Sequence, residues 1–181
     1  EEAFPVLEKA IEHHDRIIGV GLDSSEMGHP PQKYERVFAK AREAGFLTVA
    51  HAGEEGPPEY VRDTLDLLKV DRVDHGNAAM QDAALVKRLA TEKMALTVCP
   101  LSNYRLQGVT DMSQHPLRAM LDAGIVATVN SDDPAYFGGY VLDNYTAVRD
   151  ALDLTQNEIV TLAKNSITGS FLDADDKGRW L

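Results

Sequence analysis

Three short polar clusters in this sequence each follow a strand-like hydrophobic run. Residues 46–50 lead into His51-Ala52-Gly53-Glu54, Arg72-Val73 into Asp74-His75-Gly76, and residues 125–129 into Asn130-Ser131-Asp132-Asp133-Pro134. Imidazoles and carboxylates hold divalent cations and move protons. A cation makes a nucleophile from water at neutral pH and a placed carboxylic acid protonates the electrophile, which together let hydrolytic enzymes attack an unreactive carbon. His51 and Glu54 form such a pair, with Gly53 between them permitting close backbone approach. An isolated His-x-x-Glu also occurs in plain surface turns. Asp132 and Asp133 add weight, because adjacent desolvated carboxylates repel unless a cation or a hydrogen-bonding ligand compensates them. Pro134 restricts Asp133 towards extended backbone and so aims successive side chains at different targets. Taken alone, the pair also reads as a solvated turn or a helix N-cap.

A fourth run, 95–98, leads into Cys99-Pro100-Leu101-Ser102-Asn103. Without a second cysteine, Cys99 reads as a small buried residue and not as a metal ligand. Ser102 and Asn103 either brace a site through hydrogen bonds or shape the turn. His13, His14, His29 and His115 lie in helical or loop contexts away from strand ends, and no role is assigned to them.

The elements that must position these residues alternate regularly. Residues 19–22 read as a strand, after which Pro31 opens a helix carrying Val37, Phe38 and Ala41 and Gly45 closes it. Strand 46–50 precedes a helix begun by Pro57 and Pro58, with Leu65 and Leu68 on its buried side. Asp82 caps a helix bearing Leu85, Val86 and Leu89, and Ser113 is read as the cap of the next, which runs through Leu117 and Leu121 to Gly124. Thr155-Gln156-Asn157-Glu158 has the form of a capping box. Five strands spaced by roughly 25–30 residues, each followed by a helix, are βα units. They fit either an open doubly wound sheet or part of a (β/α)8 barrel, and in both the strand C-termini share one face.

With 181 residues and 44% hydrophobic content, the chain can build one sizeable core, read as a single domain over 1–181. The net charge of -11 disfavours nucleic acid and anionic membranes as partners and points to small molecules. No run approaches the roughly 18 apolar residues of a membrane span, and the start has no signal-peptide character. The single cysteine excludes a disulfide framework and places the chain in a reducing cytoplasm.

Taken together, His51-Ala-Gly-Glu54, Asp74-His75-Gly76, Cys99-Pro-Leu-Ser-Asn103 and Ser131-Asp132-Asp133-Pro134 resemble the adenosine/adenine deaminase family, in order and spacing over most of the chain. The segment Gly21-Leu-Asp-Ser-Ser-Glu-Met-Gly-His-Pro-Pro31 is similar to the adenine deaminase branch. The resemblance implies a (β/α)8 barrel of the metal-dependent hydrolase type and hydrolytic replacement of a purine 6-amino group, with release of ammonia. By motif it implies His51 and Asp132 as zinc ligands, Glu54 as proton donor to ring N1, and His75 as the group that orients or deprotonates the attacking water. It implies Asp133 near N7, with Ser25 and Glu26 on a loop closing over the N3/N9 edge.

One departure matters. The family carries a His-x-His pair on its first barrel strand, and no His-x-His occurs here. A catalytic zinc site usually has three protein ligands and one open position, and His51 and Asp132 make two. The expectation is therefore the last five βα units of a barrel, with the N-terminal strands missing from this chain and the fragment alone inactive. An adenosine deaminase of the same family and a noncatalytic purine-binding module that has lost its metal are the alternatives. A doubly wound binding domain is disfavoured, since no Gly-rich phosphate loop opens any helix.

Overall fold

The structure, a computed structural model, describes residues 2–181. Five parallel strands form one sheet in the order β1-β2-β3-β4-β5: β1 Gly19–Leu22, β2 Leu47–Ala52, β3 Arg72–His75, β4 Ala95–Val98 and β5 Val126–Val129. This strictly sequential order decides between the two candidate architectures. A doubly wound sheet reverses its strand order at a switch point, whereas consecutive βα units laid side by side are how a (β/α)8 barrel is built. The sheet corresponds to five of its eight strands.

The helices are α1 Ala3–Glu12, α2 Glu35–Glu43, α3 Pro58–Asp63, α4 Ala83–Glu92, α5 Pro100–Arg105, α6 Leu117–Asp122, α7 Pro134–Phe137, α8 Val141–Leu152, α9 Gln156–Thr168 and α10 Ala174–Trp180. Asp82 caps α4 by accepting from the Ala84 and Leu85 N–H groups, and Thr155 with Glu158 forms the capping box of α9. Two boundaries differ from the sequence reading. Pro31 opens a 3₁₀ turn, Pro31–Tyr34, and the α-helix begins only at Glu35. Ser113 does not cap the following helix: Asp111 caps a short 3₁₀ turn, Met112–Gln114, and α6 starts after Pro116. The reason is steric, because a residue preceding proline is pushed out of the α region. His115 accordingly has an extended backbone, φ -60 and ψ 133.

Period-two burial shows how the sheet is used. Along β2, Thr48, Ala50 and Ala52 are buried against the helices while Leu47, Val49 and His51 lie on the opposite face. Ala50, Val73, Leu96 and Ala127 from four adjacent strands join Val61, Leu68, Leu89, Leu117 and Leu162 in the principal core. Each fully buried valine or leucine among them contributes about 1.5–3 kcal/mol, which holds the strands rigidly enough to serve as a base for chemistry. A smaller cluster of Leu7, Ala41 and Phe46 ties α1 and α2 to the start of β2. On the inner face, Asp74 accepts from Thr97 Oγ1 and lies 3.6 Å from Arg72 Nε, and the Arg72 guanidinium stacks on Phe171.

Candidate active site

The strand register carries the polar clusters to one place. Ala52 pairs with His75 and His51 with Asp74, while Val98 pairs with Val129, so the C-terminal ends of β2 to β5 are level. His51 and His75 are themselves the last or next-to-last residues of their strands. The chain then turns sharply: His75 and Asp132 have φ of 66 and 57, Ser24 has 73, and Gly53 and Gly76 have 75 and 76. Left-handed backbone at a residue with a side chain is unfavourable by about 1 kcal/mol or more, and such strain collects where a site needs a side chain aimed in one direction.

These turns converge on a cavity of about 540 Å³ whose wall includes Asp23, Ser25, His51, Glu54, Asp132 and Asp133. His75 lies against it from below, its ring edge-on to that of His51 with centroids 4.6 Å apart. Ligand-capable atoms of His51, Glu54 and His75 fall within 4.8 Å of one another, as do those of His75, Cys99 and Asp132. The structure thus brings together His51, Glu54, His75 and Asp132, with Ser25 and Asp133 on the rim.

Electrostatics divides the roles. Burial, aided by the nearby Asp132 and Glu26 carboxylates and opposed by His51 and an Asn103 hydrogen bond, raises the Glu54 pKa to about 7. Burial, with the neighbouring His51 imidazole acting in the same direction, lowers the His75 pKa to about 4. The His75 Nδ1 to Glu54 Oε1 distance is 3.3 Å, yet with these pKa values the two groups do not form an ion pair: between about pH 4 and 7 both are neutral. A carboxylic acid poised near neutrality beside a neutral imidazole can act in general acid–base chemistry.

Asn103 and Ser102 brace this acid. Asn103 Nδ2 donates to Glu54 Oε1 at 3.0 Å and Ser102 Oγ lies 3.5 Å from the same oxygen, both residues being fully buried on α5. Burial and the surrounding Asp132, Glu54 and Asp74 carboxylates push the Cys99 thiol up, and its Sγ donates weakly to the Thr97 carbonyl.

One assignment needs correction. Glu26 is 5% exposed, and its carboxylate turns under the loop after β2, where it accepts from the backbone N–H groups of Gly53, Glu54 and Gly56 at 2.8, 2.9 and 3.0 Å. Three peptide donors satisfy a buried carboxylate that the cavity wall would leave half-solvated, so Glu26 sits beneath the Glu54 loop instead of at a substrate edge. Glu55 lines the cavity and His115 lies behind Asn103, and the sequence reading gave a role to neither. Glu55 Oε2 accepts from Ser25 Oγ and the Glu26 N–H at 2.9 and 3.1 Å. His115 is 3% exposed and packs against Asn103. An acidic run after a strand was the only trace of the first, and nothing local marks the second.

A divalent cation fits part of this constellation. His51 Nδ1 is buried without a hydrogen-bond partner among the described residues. Its other nitrogen, Nε2, lies 3.7 Å from Asp23 Oδ1, and imidazole nitrogens grouped with carboxylate oxygens are donor chemistry that zinc accepts.

Parallel βα units with imidazoles and carboxylates gathered at the strand ends are the arrangement of a site on a (β/α)8 barrel. The family profile described as "Adenosine deaminase" matches residues 2–181, and the chain belongs to that family. It is 65% identical over 180 residues to a protein named adenine deaminase from Sphingopyxis alaskensis, covering 99% of this chain and 53% of that one. A crystal structure of adenine deaminase from Arthrobacter aurescens superposes with a TM-score of 0.95 at 49% identity, covering 98% of this chain and 54% of the other. An amidohydrolase from Burkholderia ambifaria, solved with bound Zn, superposes with a TM-score of 0.87 at 30% identity, covering 96% and 50%. The chain therefore spans about half the length of the relatives it matches.

Proposed function

We propose that the protein to which this chain contributes hydrolyses adenine at C6, yielding hypoxanthine and ammonia in purine salvage. The observation that carries this reading is the Glu54 carboxyl, held near neutrality beside neutral His75 at the strand ends. The adenine deaminases at 65% and 49% identity support the purine base as substrate.

Attack at C6 breaks ring aromaticity unless the adjacent N1 is protonated as the water oxygen bonds to carbon. Glu54 supplies that proton. The C6–N bond then breaks as the amino group takes up the proton given up by the attacking water and leaves as ammonia, while the C6 hydroxyl returns its proton to the Glu54 carboxylate and the ring regains conjugation as the 6-oxo product. His75 takes the proton of the attacking water or holds its orientation, which its neutral state permits. Asp133, exposed on the rim, faces the imidazole side of the base near N7, and Ser25 faces the N9 edge. His51 and Asp132 would hold a zinc ion, whose chemistry when bound is to lower the pKa of a coordinated water to about 7. Further ligands come from the part of the barrel outside this chain, which we place N-terminal to it. A single cysteine, buried and unpaired, supports a cytoplasmic location.

The test is ammonia release by the whole protein from adenine and from adenosine. Adenine is expected to be preferred over adenosine, because a ribose on N9 removes the N9–H available to Ser25 and adds bulk where the loop after β1 borders the cavity. Equal efficiency on the two would overturn the assignment to adenine, and turnover of neither would overturn deamination.

A further inference from the structure

We propose that His115 is a positioning residue that, through the Asn103 amide, fixes which oxygen of Glu54 carries the acid proton. The inference rests on the reading of Glu54 as proton donor and adds to it a residue 61 positions away in sequence.

The observations form a chain of donors running in one direction. The extended backbone that Pro116 imposes on His115 brings its ring over the start of α6, where Nδ1 accepts the Leu117 N–H at 3.2 Å. A nitrogen that accepts carries no proton. The ring is neutral at physiological pH, since burial lowers its pKa to about 4, so its one proton lies on Nε2. Nε2 is 3.3 Å from Asn103 Oδ1, to which it donates.

That contact removes the ambiguity of the amide. Asn103 can present either its oxygen or its NH2 group to a neighbour, and the two orientations differ little in shape. With Oδ1 receiving the His115 proton, Nδ2 must face Glu54 Oε1, where it is found at 3.0 Å. The Asn103 backbone leaves no slack, its N–H donating to Cys99 O at 2.9 Å and its carbonyl accepting from Val109 at 3.0 Å. Ser102 Oγ approaches the same Oε1 at 3.5 Å. An oxygen that accepts from these donors is the carbonyl-like one, which leaves the acid proton to Oε2. Without His115 the amide can turn over and offer its own oxygen to Glu54, and the acid proton is then spent inside the protein instead of on the substrate.

Two substitutions in the whole protein separate positioning from mere packing. His115→Asn keeps an acceptor at the Nδ1 level for the Leu117 N–H but cannot reach Asn103, whereas His115→Gln places an N–H donor at the Nε2 level. We expect His115→Asn to lower kcat about 10- to 100-fold, a share of what a general acid contributes, with KM changed less than about threefold, and His115→Gln to restore most of it. In an Asn103→Ala background, His115→Asn should cost little more, because both act on one carboxyl. Multiplying effects, or an unchanged kcat in His115→Asn, would overturn the proposal. The ¹⁵N shifts of the His115 ring give a readout free of turnover: an Nε2–H tautomer is expected, and an Nδ1–H tautomer overturns it even if a variant fails to fold. Loss of turnover in Glu54→Gln with none in His115→Asn would sink this inference alone. Absence of adenine turnover in the unsubstituted protein would sink the functional reading, and the tautomer would still decide the donor chain.

Discussion

Glu26 and Glu55 each hold the other's loop. The Glu26 carboxylate accepts three N–H groups from residues 53–56, and Glu55 reaches back to Ser25 Oγ and to the Glu26 N–H. The loops after β1 and β2 are laced by two acids of the same sign, and the exchange fixes the backbone from which Glu54 projects. It also raises the Glu54 pKa, since the Glu26 charge adds to the effect of burial.

The two acids should respond differently to loss of charge. Glu26→Gln turns one acceptor oxygen into an NH2 group facing peptide donors in a buried place, and a drop of about 1–3 kcal/mol in stability is expected. Glu55 is exposed and uses a single oxygen, so Glu55→Gln can keep both contacts and should stay within about 0.5 kcal/mol. Denaturant unfolding of the whole protein measures both. Equal effects would mean that the reciprocal brace is not what holds the loop.

The Glu54 and His75 pKa values pull stability in opposite directions. Glu54 keeps a proton to about pH 7 that an unfolded carboxyl gives up near 4.5, so its burial is penalised increasingly as pH rises through that window. His75 is protonated near 6.5 when unfolded and only near 4 when folded, so its penalty is absent above 6.5 and grows as pH falls towards 4. Glu54→Gln removes only the first. In metal-stripped protein its stability relative to the unsubstituted chain should improve by up to about 3 kcal/mol from the lower to the upper end of the Glu54 window. A pH-independent difference between the two proteins would remove the raised pKa from the account.

Much of this was legible because the hydrophobic grammar is regular. The bounds of β1 and β4 follow directly from residues 19–22 and 95–98, whose apolar runs stop where the strands stop. β2 and β3 run longer than their apolar runs, through His51-Ala52 and through Asp74-His75. His51 and Asp74 continue their strands on the inner face, which hydrophobicity does not record. The meeting of His51, Glu54, His75 and Asp132 was readable from strand-end placement alone. Glu26 and His115 were not, because the burial of each depends on peptide groups or an amide that only the folded loops bring near. An acid among serines reads as surface, and a His-Pro step reads as a turn.

The turn after β2 tests how tightly Glu54 is placed. Gly53 has φ 75, and an added Cβ would lie 2.6 Å from Cγ2 of the fully buried Val61. Gly124 has the same φ of 75 with nothing within 4 Å. Gly124→Ala should therefore cost about 1–2 kcal/mol for the left-handed backbone alone. Gly53→Ala carries the clash as well and should cost about 2–5 kcal/mol. Equal shifts in melting temperature would show that Val61 yields freely.

Adjacent carboxylates should fail in different ways. Asp132 is half-buried at the left-handed turn, within the cluster shared with His75 and Cys99. Asp133 is exposed on the rim, and its carbonyl accepts the Tyr136 and Phe137 N–H groups at 2.9 Å to begin α7. With Asp132 as the proposed zinc ligand, Asp132→Ala should make the whole protein lose zinc on dialysis and turnover with it. Asp133→Ala leaves that donor and the backbone turn intact. Its zinc content should stay near that of the unsubstituted protein while KM for adenine rises about 10- to 100-fold, the loss of one charged hydrogen bond to the base. Metal analysis beside steady-state kinetics on both variants settles the division. Zinc retained in Asp132→Ala, or lost in Asp133→Ala, would reverse the two roles.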